Sequence, residues 1–280
     1  MTTLQKLLRS AEARLGGPRD DARLDAEVLL AFALGKPRSY LFAWPDQTLD
    51  TTQIAKFDEL ITRRVAGEPV AHLTGTREFW SLNLLVTPDT LIPRPDTELL
   101  VECALACIPT DATLTIADLG TGSGAVALAI ARERPHCQVT ATDVSLPALA
   151  VARANAEQLA IHNIDFHSGD WCAALGDARY TVIASNPPYI RADDQHLHEG
   201  DLRFEPRTAL TPGQDGLEAI RRIVAEAQAH LNPGGWLLLE HGYDQGDAVT
   251  ELLRAQGYHD ILDHADLGGH GRVTQGRCPD

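Results

Sequence analysis

The stretch Ala117-Asp118-Leu119-Gly120-Thr121-Gly122-Ser123-Gly124 decides how this chain folds. An apolar, strand-like run over 114–119 leads into it, and a helical pattern over 125–132 leaves it. Three glycines therefore stand at a strand-to-helix turn. Glycine tolerates positive φ and lets a ligand approach the backbone closely. The helix that follows begins with unpaired amide donors.

Working outward, strand and helix patterns alternate. Further strands are predicted at 138–143, 164–169, 181–185, 236–240 and 261–264, with helices at 147–159, 217–229 and 248–255. That alternation predicts a doubly wound parallel sheet. A last strand at 272–276 fits an antiparallel insertion. Upstream, a helix is predicted from Asp96 to Ile108. Before it, Phe79, Leu82, Leu84 and Val86 alternate as in a hairpin, with a turn signal at Thr87-Pro88-Asp89.

The first 73 residues read as helices. Leu4, Leu7, Leu8, Ala11 and Leu15 form one stripe, ended by Gly16-Gly17-Pro18. Leu24, Val28, Leu29 and Phe32 form a second, and Ile54, Phe57, Leu60, Ile61 and Val65 a third. The predicted organisation is a helical substrate-docking domain over 1–73, a hairpin linker over 74–94 and a catalytic domain over 95–280.

Bulk properties narrow the function. The net charge is -15, from 24 basic and 39 acidic residues. Phosphate neutralisation supplies most nucleic-acid affinity, so this balance argues against stable nucleic-acid binding and against an anionic membrane surface. It would steer in a basic protein partner. No run approaches the ~20 apolar residues of a membrane span, and the first ten residues do not read as a signal peptide. The five cysteines include no Cys-x-x-Cys pair and read as thiols of a reducing, cytoplasmic compartment. His196-x-His198, near Asp193, Asp194 and Glu199, reads as a solvated loop; no metal site is expected.

The glycine loop alone is compatible with NAD, FAD, S-adenosylmethionine or a plain tight turn. Two acids favour a ligand. Asp143 ends the next strand, where a carboxylate would accept hydrogen bonds from both ribose hydroxyls. Asp118 precedes the first glycine, near where a ligand's amino group would sit. A dinucleotide gains nothing from that second acid, whereas a zwitterionic sulfonium does.

The fourth strand runs into Asn186-Pro187-Pro188-Tyr189. Consecutive prolines carry no amide hydrogen and have fixed φ, so the turn is stiff and its carbonyls can accept. Asn186 adds a side-chain carbonyl, and Tyr189 an aromatic face. Two acceptors and a ring suit a planar NH2 group.

With these motifs the chain resembles the HemK/PrmC family of protein-(glutamine-N5) methyltransferases, over nearly its whole length. Asp118 to Gly124 matches the family's cofactor loop, Asp143 its ribose acid, and Trp171 a cofactor-contacting position. Asn186-Pro187-Pro188-Tyr189 matches its substrate-amide motif. The stretch Leu91-Ile92-Pro93-Arg94-Pro95-Asp96-Thr97-Glu98-Leu99-Leu100 matches the segment before the catalytic domain. A sister family acting on a ribosomal protein shares the Asn-Pro-Pro-Tyr turn but not the Pro95-Asp96-Thr97-Glu98 wording.

The resemblance implies a class I S-adenosylmethionine methyltransferase fold: a seven-stranded, mostly parallel doubly wound sheet with a helical N-terminal bundle and a linking hairpin. It implies class I peptide chain release factors as partners, the substrate being the glutamine of a Gly-Gly-Gln loop. It assigns catalysis to Asn186, Pro187 and Tyr189. Cofactor binding falls to Asp118, Gly120, Thr121, Gly122, Ser123, Gly124, Asp143, Trp171 and Asn186. Substrate binding falls to Arg94, Asn186, Pro187, Pro188 and Tyr189. A ribosomal-protein glutamine, or an exocyclic nucleobase amine reached by base flipping, are the alternative substrates. Glu205-Pro206-Arg207 resembles the family's downstream segment, where a structural role is expected, and Gly268-Gly269-His270-Gly271-Arg272 is glycine-richer than the family's pattern.

Overall fold

A computed structural model describes residues 2–16 and 20–280. The predicted helix stop at Gly17-Pro18 lies outside the described residues. The chain forms two compact units, Met1–Thr76 and Arg77–Asp280.

The first unit is helical: α1 (Leu4–Arg14), α2 (Asp20–Leu34), α3 (Arg38–Ala43), α4 (Thr51–Val65) and α5 (Val70–Thr74). Asp50 and Gln53 close a capping box at the start of α4, satisfying donors that the helix leaves open. Leu4, Leu8, Leu29, Leu30, Phe57, Leu60 and Ile61 make its core. The predicted face of α2 is corrected: Leu24 and Phe32 are exposed, as is Val65 of α4, and Ala22, Ala26, Leu29, Leu30 and Ala33 point inward. Small alanines at helical spacing let α2 approach its neighbours, so the larger apolar residues were a misleading guide. The short helices α3 and α5 were too brief to show a period.

The second unit opens with the hairpin β1 (Thr76–Phe79) and β2 (Leu82–Leu85). The chain reverses at Trp80 and Ser81, both at positive φ (51° and 57°). Glu78 and Glu98 hold that turn by accepting from the Ser81 and Trp80 amides. A positive-φ turn without glycine or asparagine has no sequence signature. Thr87-Pro88-Asp89 is a separate turn, closed by Thr90 N–H donating to the Thr87 carbonyl. Phe79, Leu82 and Leu84 pack into this unit's core.

A single 3-10 turn (Pro95–Thr97) leads into α6 (Glu98–Ala106). The sheet follows: β3 (Thr115–Leu119), β4 (Gln138–Asp143), β5 (Ile164–Ser168), β6 (Tyr180–Ser185), β7 (Leu231–Glu240), β8 (His259–Ala265) and β9 (Gly271–Arg277). Between them lie α7 (Ala125–Glu133), α8 (Leu146–Leu159), α9 (Glu218–Ala227) and α10 (Gly246–Ala255). The strand order is β5-β4-β3-β6-β7-β9-β8. β9 runs antiparallel to both of its neighbours, as the predicted insertion requires. The order reverses between β3 and β6, and the carboxyl ends of those strands open the crevice where ligands of such sheets bind.

Candidate active site

At that crevice lies a cavity of about 330 Å³. The glycine loop forms one wall. Gly120, Gly122 and Gly124 all have positive φ (73°, 56° and 87°), so the loop folds back on itself before α7. The Gly120 and Thr121 amides donate to the Thr142 carbonyl, tying the loop to the end of β4. A Cβ on Gly120 would meet the Trp171 ring at 3.0 Å, so the indole packs against bare backbone. Trp171 itself holds φ at 49° and lines the cavity.

The two acids take distinct positions. Asp143 lines the cavity with each carboxylate oxygen holding one backbone amide: Gly122 N–H at 2.9 Å and Ser145 N–H at 2.8 Å. Each oxygen keeps further acceptor capacity for a bound diol. Asp118 is buried and accepts from the Thr121 hydroxyl at 2.6 Å. Burial, with a smaller contribution from the charge on Asp143, pushes its carboxyl up to about 7. Among the described residues no basic side chain forms an ion pair with Asp118. A buried carboxylate lining a cavity, without a cation of its own, fits a ligand that brings a positive amino group.

The Asn-Pro-Pro-Tyr turn, at the end of β6, borders the same cavity. Asn186 and Pro188 line the cavity. Asn186 Nδ2–H donates to Thr97 Oγ1 at 3.1 Å, which leaves its side-chain oxygen as the acceptor it offers. Tyr189 does not line the cavity; its hydroxyl donates to Glu240 Oε1 at 3.3 Å. Pro187 is buried and also off the lining. The turn is braced downstream by Gln245 Nε2–H donating to the Tyr189 carbonyl and by Ile190 N–H donating to the Leu210 carbonyl. Gly124 is likewise off the lining: a Cβ there would meet Leu128 at 2.9 Å and Ala152 at 3.2 Å, so it serves the packing of α7 on α8.

The segment before α6 closes the cavity, with Leu91, Pro93, Arg94 and Thr97 on its lining. Glu205 anchors it. Its buried carboxylate accepts from Ile92 N–H at 2.9 Å and pairs with the Arg94 guanidinium. This gives Glu205-Pro206-Arg207 the structural part expected of it, through partners that sequence does not identify. The glycine-rich 268–271 segment forms the turn between β8 and β9, held by Asp266 accepting from the Gly268 and His270 amides.

Two further residues escaped sequence reading. Asn155 of α8 is fully buried; it accepts from Leu85 N–H at 2.6 Å and donates to the Leu85 and Ser123 carbonyls. It thus clamps β2 to the glycine loop. Glu240, at the end of β7, is buried behind the Asn-Pro-Pro-Tyr turn. Neither sits in a local motif. Glu240 closes the apolar run Trp236-Leu237-Leu238-Leu239, whereas Asn155 stands among the polar neighbours Arg153, Glu157 and Gln158, which mask it.

Sheet order, glycine loop and strand-end acid together define a class I methyltransferase, and solved structures agree on the fold. A methyltransferase from Pyrococcus furiosus superposes with a TM-score of 0.54 at 20% identity, covering 78% of this chain and 98% of that one. Family models match on both units: the PrmC N-terminal domain over residues 6–75 and the methyltransferase small domain over 95–201. The release factor glutamine methyltransferase of Pseudomonas aeruginosa is 52% identical over 277 residues, 99% of each chain. That of Coxiella burnetii is 50% identical over the same length and share. The chain belongs to the release factor glutamine methyltransferase family. Among the described residues no helix is long and apolar enough to cross a membrane.

Proposed function

We propose that this enzyme methylates the side-chain amide nitrogen of the glutamine in the Gly-Gly-Gln loop of class I peptide chain release factors, with S-adenosylmethionine as methyl donor. One observation carries the reading. Asn186 is held by Thr97 so that its carbonyl oxygen is the group it offers, in the same cavity that the glycine loop and Asp143 line.

S-adenosylmethionine supplies a methyl group on a positively charged sulfur, already a good leaving group. In our reading Asp143 takes the ribose hydroxyls and Asp118 the amino group. The loop from Gly120 to Ser123 and the Trp171 indole complete that half of the cavity. The chain's other task is to hold a poor nucleophile. A carboxamide nitrogen shares its lone pair with the carbonyl, so catalysis rests on orientation. Asn186 Oδ1 and the Pro187 carbonyl accept the two amide hydrogens, fix the nitrogen and favour the positive charge it gains. Pro188 stiffens the turn, and Tyr189, off the cavity lining, holds it through its hydroxyl on Glu240. Arg94 contributes to substrate binding from the facing segment. Positioning of this kind is worth up to about 10⁸ M in effective molarity. The proton leaves after transfer, so no strong base is required.

The helical residues 1–73 serve as the docking domain, 74–94 as the linker and 95–280 as the catalytic domain. A net charge of -15 suits a protein partner better than a nucleic-acid backbone. The test is incubation with isotopically labelled S-adenosylmethionine and a release factor, followed by peptide mass spectrometry. Label on the Gly-Gly-Gln glutamine is expected; label elsewhere, or none, refutes the reading.

A further inference from the structure

Behind the Asn-Pro-Pro-Tyr turn lies a buried polar chain that the mechanism above leaves unused. Asn186 donates to Thr97 Oγ1 at 3.1 Å. Thr97 is itself buried, so its hydroxyl hydrogen needs an acceptor. Glu240, also buried, accepts from the Tyr189 hydroxyl through Oε1. Among the described residues its other oxygen, Oε2, has no hydrogen-bond partner, and the Thr97 hydroxyl is near enough to this carboxylate to favour its charged form. A hydroxyl seeking an acceptor and a carboxylate oxygen lacking a donor thus lie in the same buried region.

We propose that Glu240 is a positioning residue: as an acceptor-only carboxylate it forces the Thr97 and Tyr189 hydroxyls to donate inward, so that Asn186 must give its NH2 to Thr97 and turn its carbonyl oxygen to the substrate amide. The inference rests on the functional reading above. An ionised carboxylate has no hydrogen to give. Thr97 must therefore point its hydrogen at Glu240 and its lone pair at Asn186. A protonated or amide side chain at 240 removes that compulsion: it can donate to Thr97, Thr97 can then donate to Asn186, and the asparagine is free to flip. A flipped Asn186 would present two donors to a substrate that also brings two donors.

The groups facing Glu240 are few. Tyr189 comes from the turn after β6, Thr97 and Asp96 from the 3-10 turn, and Arg272 from β9. Arg272 is shared with Asp96 at 3.3 Å and Asp266 at 3.0 Å. Burial is the largest influence and pushes the Glu240 carboxyl up to about 7, against the lowering effects of Thr97, Tyr189 and Arg272. His241 belongs to a different cluster, with its Nε2 against Thr274 and Asp263.

The test uses the full-length enzyme, a release factor and labelled S-adenosylmethionine, with kcat, KM and donor Kd measured across pH. Glu240→Gln, nearly the same shape, should lower kcat roughly 10- to 100-fold, the scale on which misplacement of a reacting group acts. Donor Kd should be unchanged. The wild-type kcat should fall as pH drops below about 7, because protonation removes the directing carboxylate, and this acid limb should vanish in Glu240→Gln. Thr97→Val should reproduce the kcat loss and Thr97→Ser restore it, which keeps the test decisive should a variant at 240 fail to fold. Glu240→Gln with wild-type kcat and an intact acid limb would overturn the inference. So would Thr97→Val with wild-type kcat, or a kcat loss matched by equal loss of donor binding. A wild-type enzyme that leaves the glutamine unlabelled would overturn both this inference and the reading it rests on.

Discussion

Replacing Glu205 with alanine should release the segment that closes the cavity, and the structure sets the size of the effect. The Glu205 carboxylate is fully buried and holds two groups: Ile92 N–H at 2.9 Å and the Arg94 guanidinium. An orphaned buried amide costs about 1–3 kcal/mol. Losing a fully buried ion-pair partner would cost about 3–5 kcal/mol. The Arg94 side chain, however, is 31% exposed and can rehydrate, so its share falls to about 1 kcal/mol. The sum is about 2–4 kcal/mol. It acts locally, on a segment whose Leu91, Pro93, Arg94 and Thr97 line the cavity. Hydrogen exchange read by mass spectrometry on peptides covering Ile92 measures it directly. Exchange should accelerate roughly 30- to 1000-fold, since about 1.4 kcal/mol corresponds to tenfold. Glu205→Gln, which keeps an acceptor for Ile92, should show a smaller effect. Unchanged exchange at Ile92 in the alanine variant would refute the anchor.

Three other substitutions probe the cavity. Asn186→Ala should cut turnover about 10²- to 10³-fold, as losing one group that stabilises developing charge does, while sparing donor affinity; steady-state kinetics and calorimetry separate the two, and equal losses would count against the acceptor role. Asp143→Ala should mainly weaken S-adenosylmethionine binding, because it removes the proposed ribose acceptor and frees the Gly122 and Ser145 amides; unchanged Kd by calorimetry would rule out the ribose contact. Asp118→Asn should change how stability depends on pH. The folded-state pKa of Asp118 is raised from 3.8 to about 7, so its contribution is full below about 4 and is lost as pH rises through 7. Without the donor bound, urea denaturation should show the asparagine variant gaining a few kcal/mol on wild type between pH 4 and pH 8; a constant difference would mean Asp118 titrates normally.

What sequence could disclose follows from how local each feature is. The glycine loop, Asp143 and Asn186 sit at strand ends that hydrophobic patterning locates, so their convergence on one crevice is a consequence of a parallel sheet. The antiparallel β9 was readable as a late strand, although its insertion between β7 and β8 is a matter of pairing. Thr97, Asn155, Glu205 and Glu240 were not readable as site residues. Each acts on a group far away in the chain: Glu205 on Ile92, Asn155 on Leu85 and Ser123, Thr97 on Asn186. Tyr189 was read as an aromatic face for the substrate, and its hydroxyl proves to be tied to Glu240. Gly124 was read with the cofactor loop, and its missing Cβ proves to matter for helix packing. In the helical unit, the α2 stripe misled because alanine carries little weight in a hydrophobic pattern yet permits the closest packing.

The proposed catalysis needs a glutamine amide held by two acceptors in front of the methyl donor. A crystal structure of the enzyme with S-adenosylhomocysteine and a glutamine peptide measures this directly. It should show the amide nitrogen within hydrogen-bond distance of Asn186 Oδ1 and the Pro187 carbonyl, on the line toward the sulfur. A nitrogen turned away from the sulfur, or an Asn186 presenting its NH2 to the peptide, would contradict it.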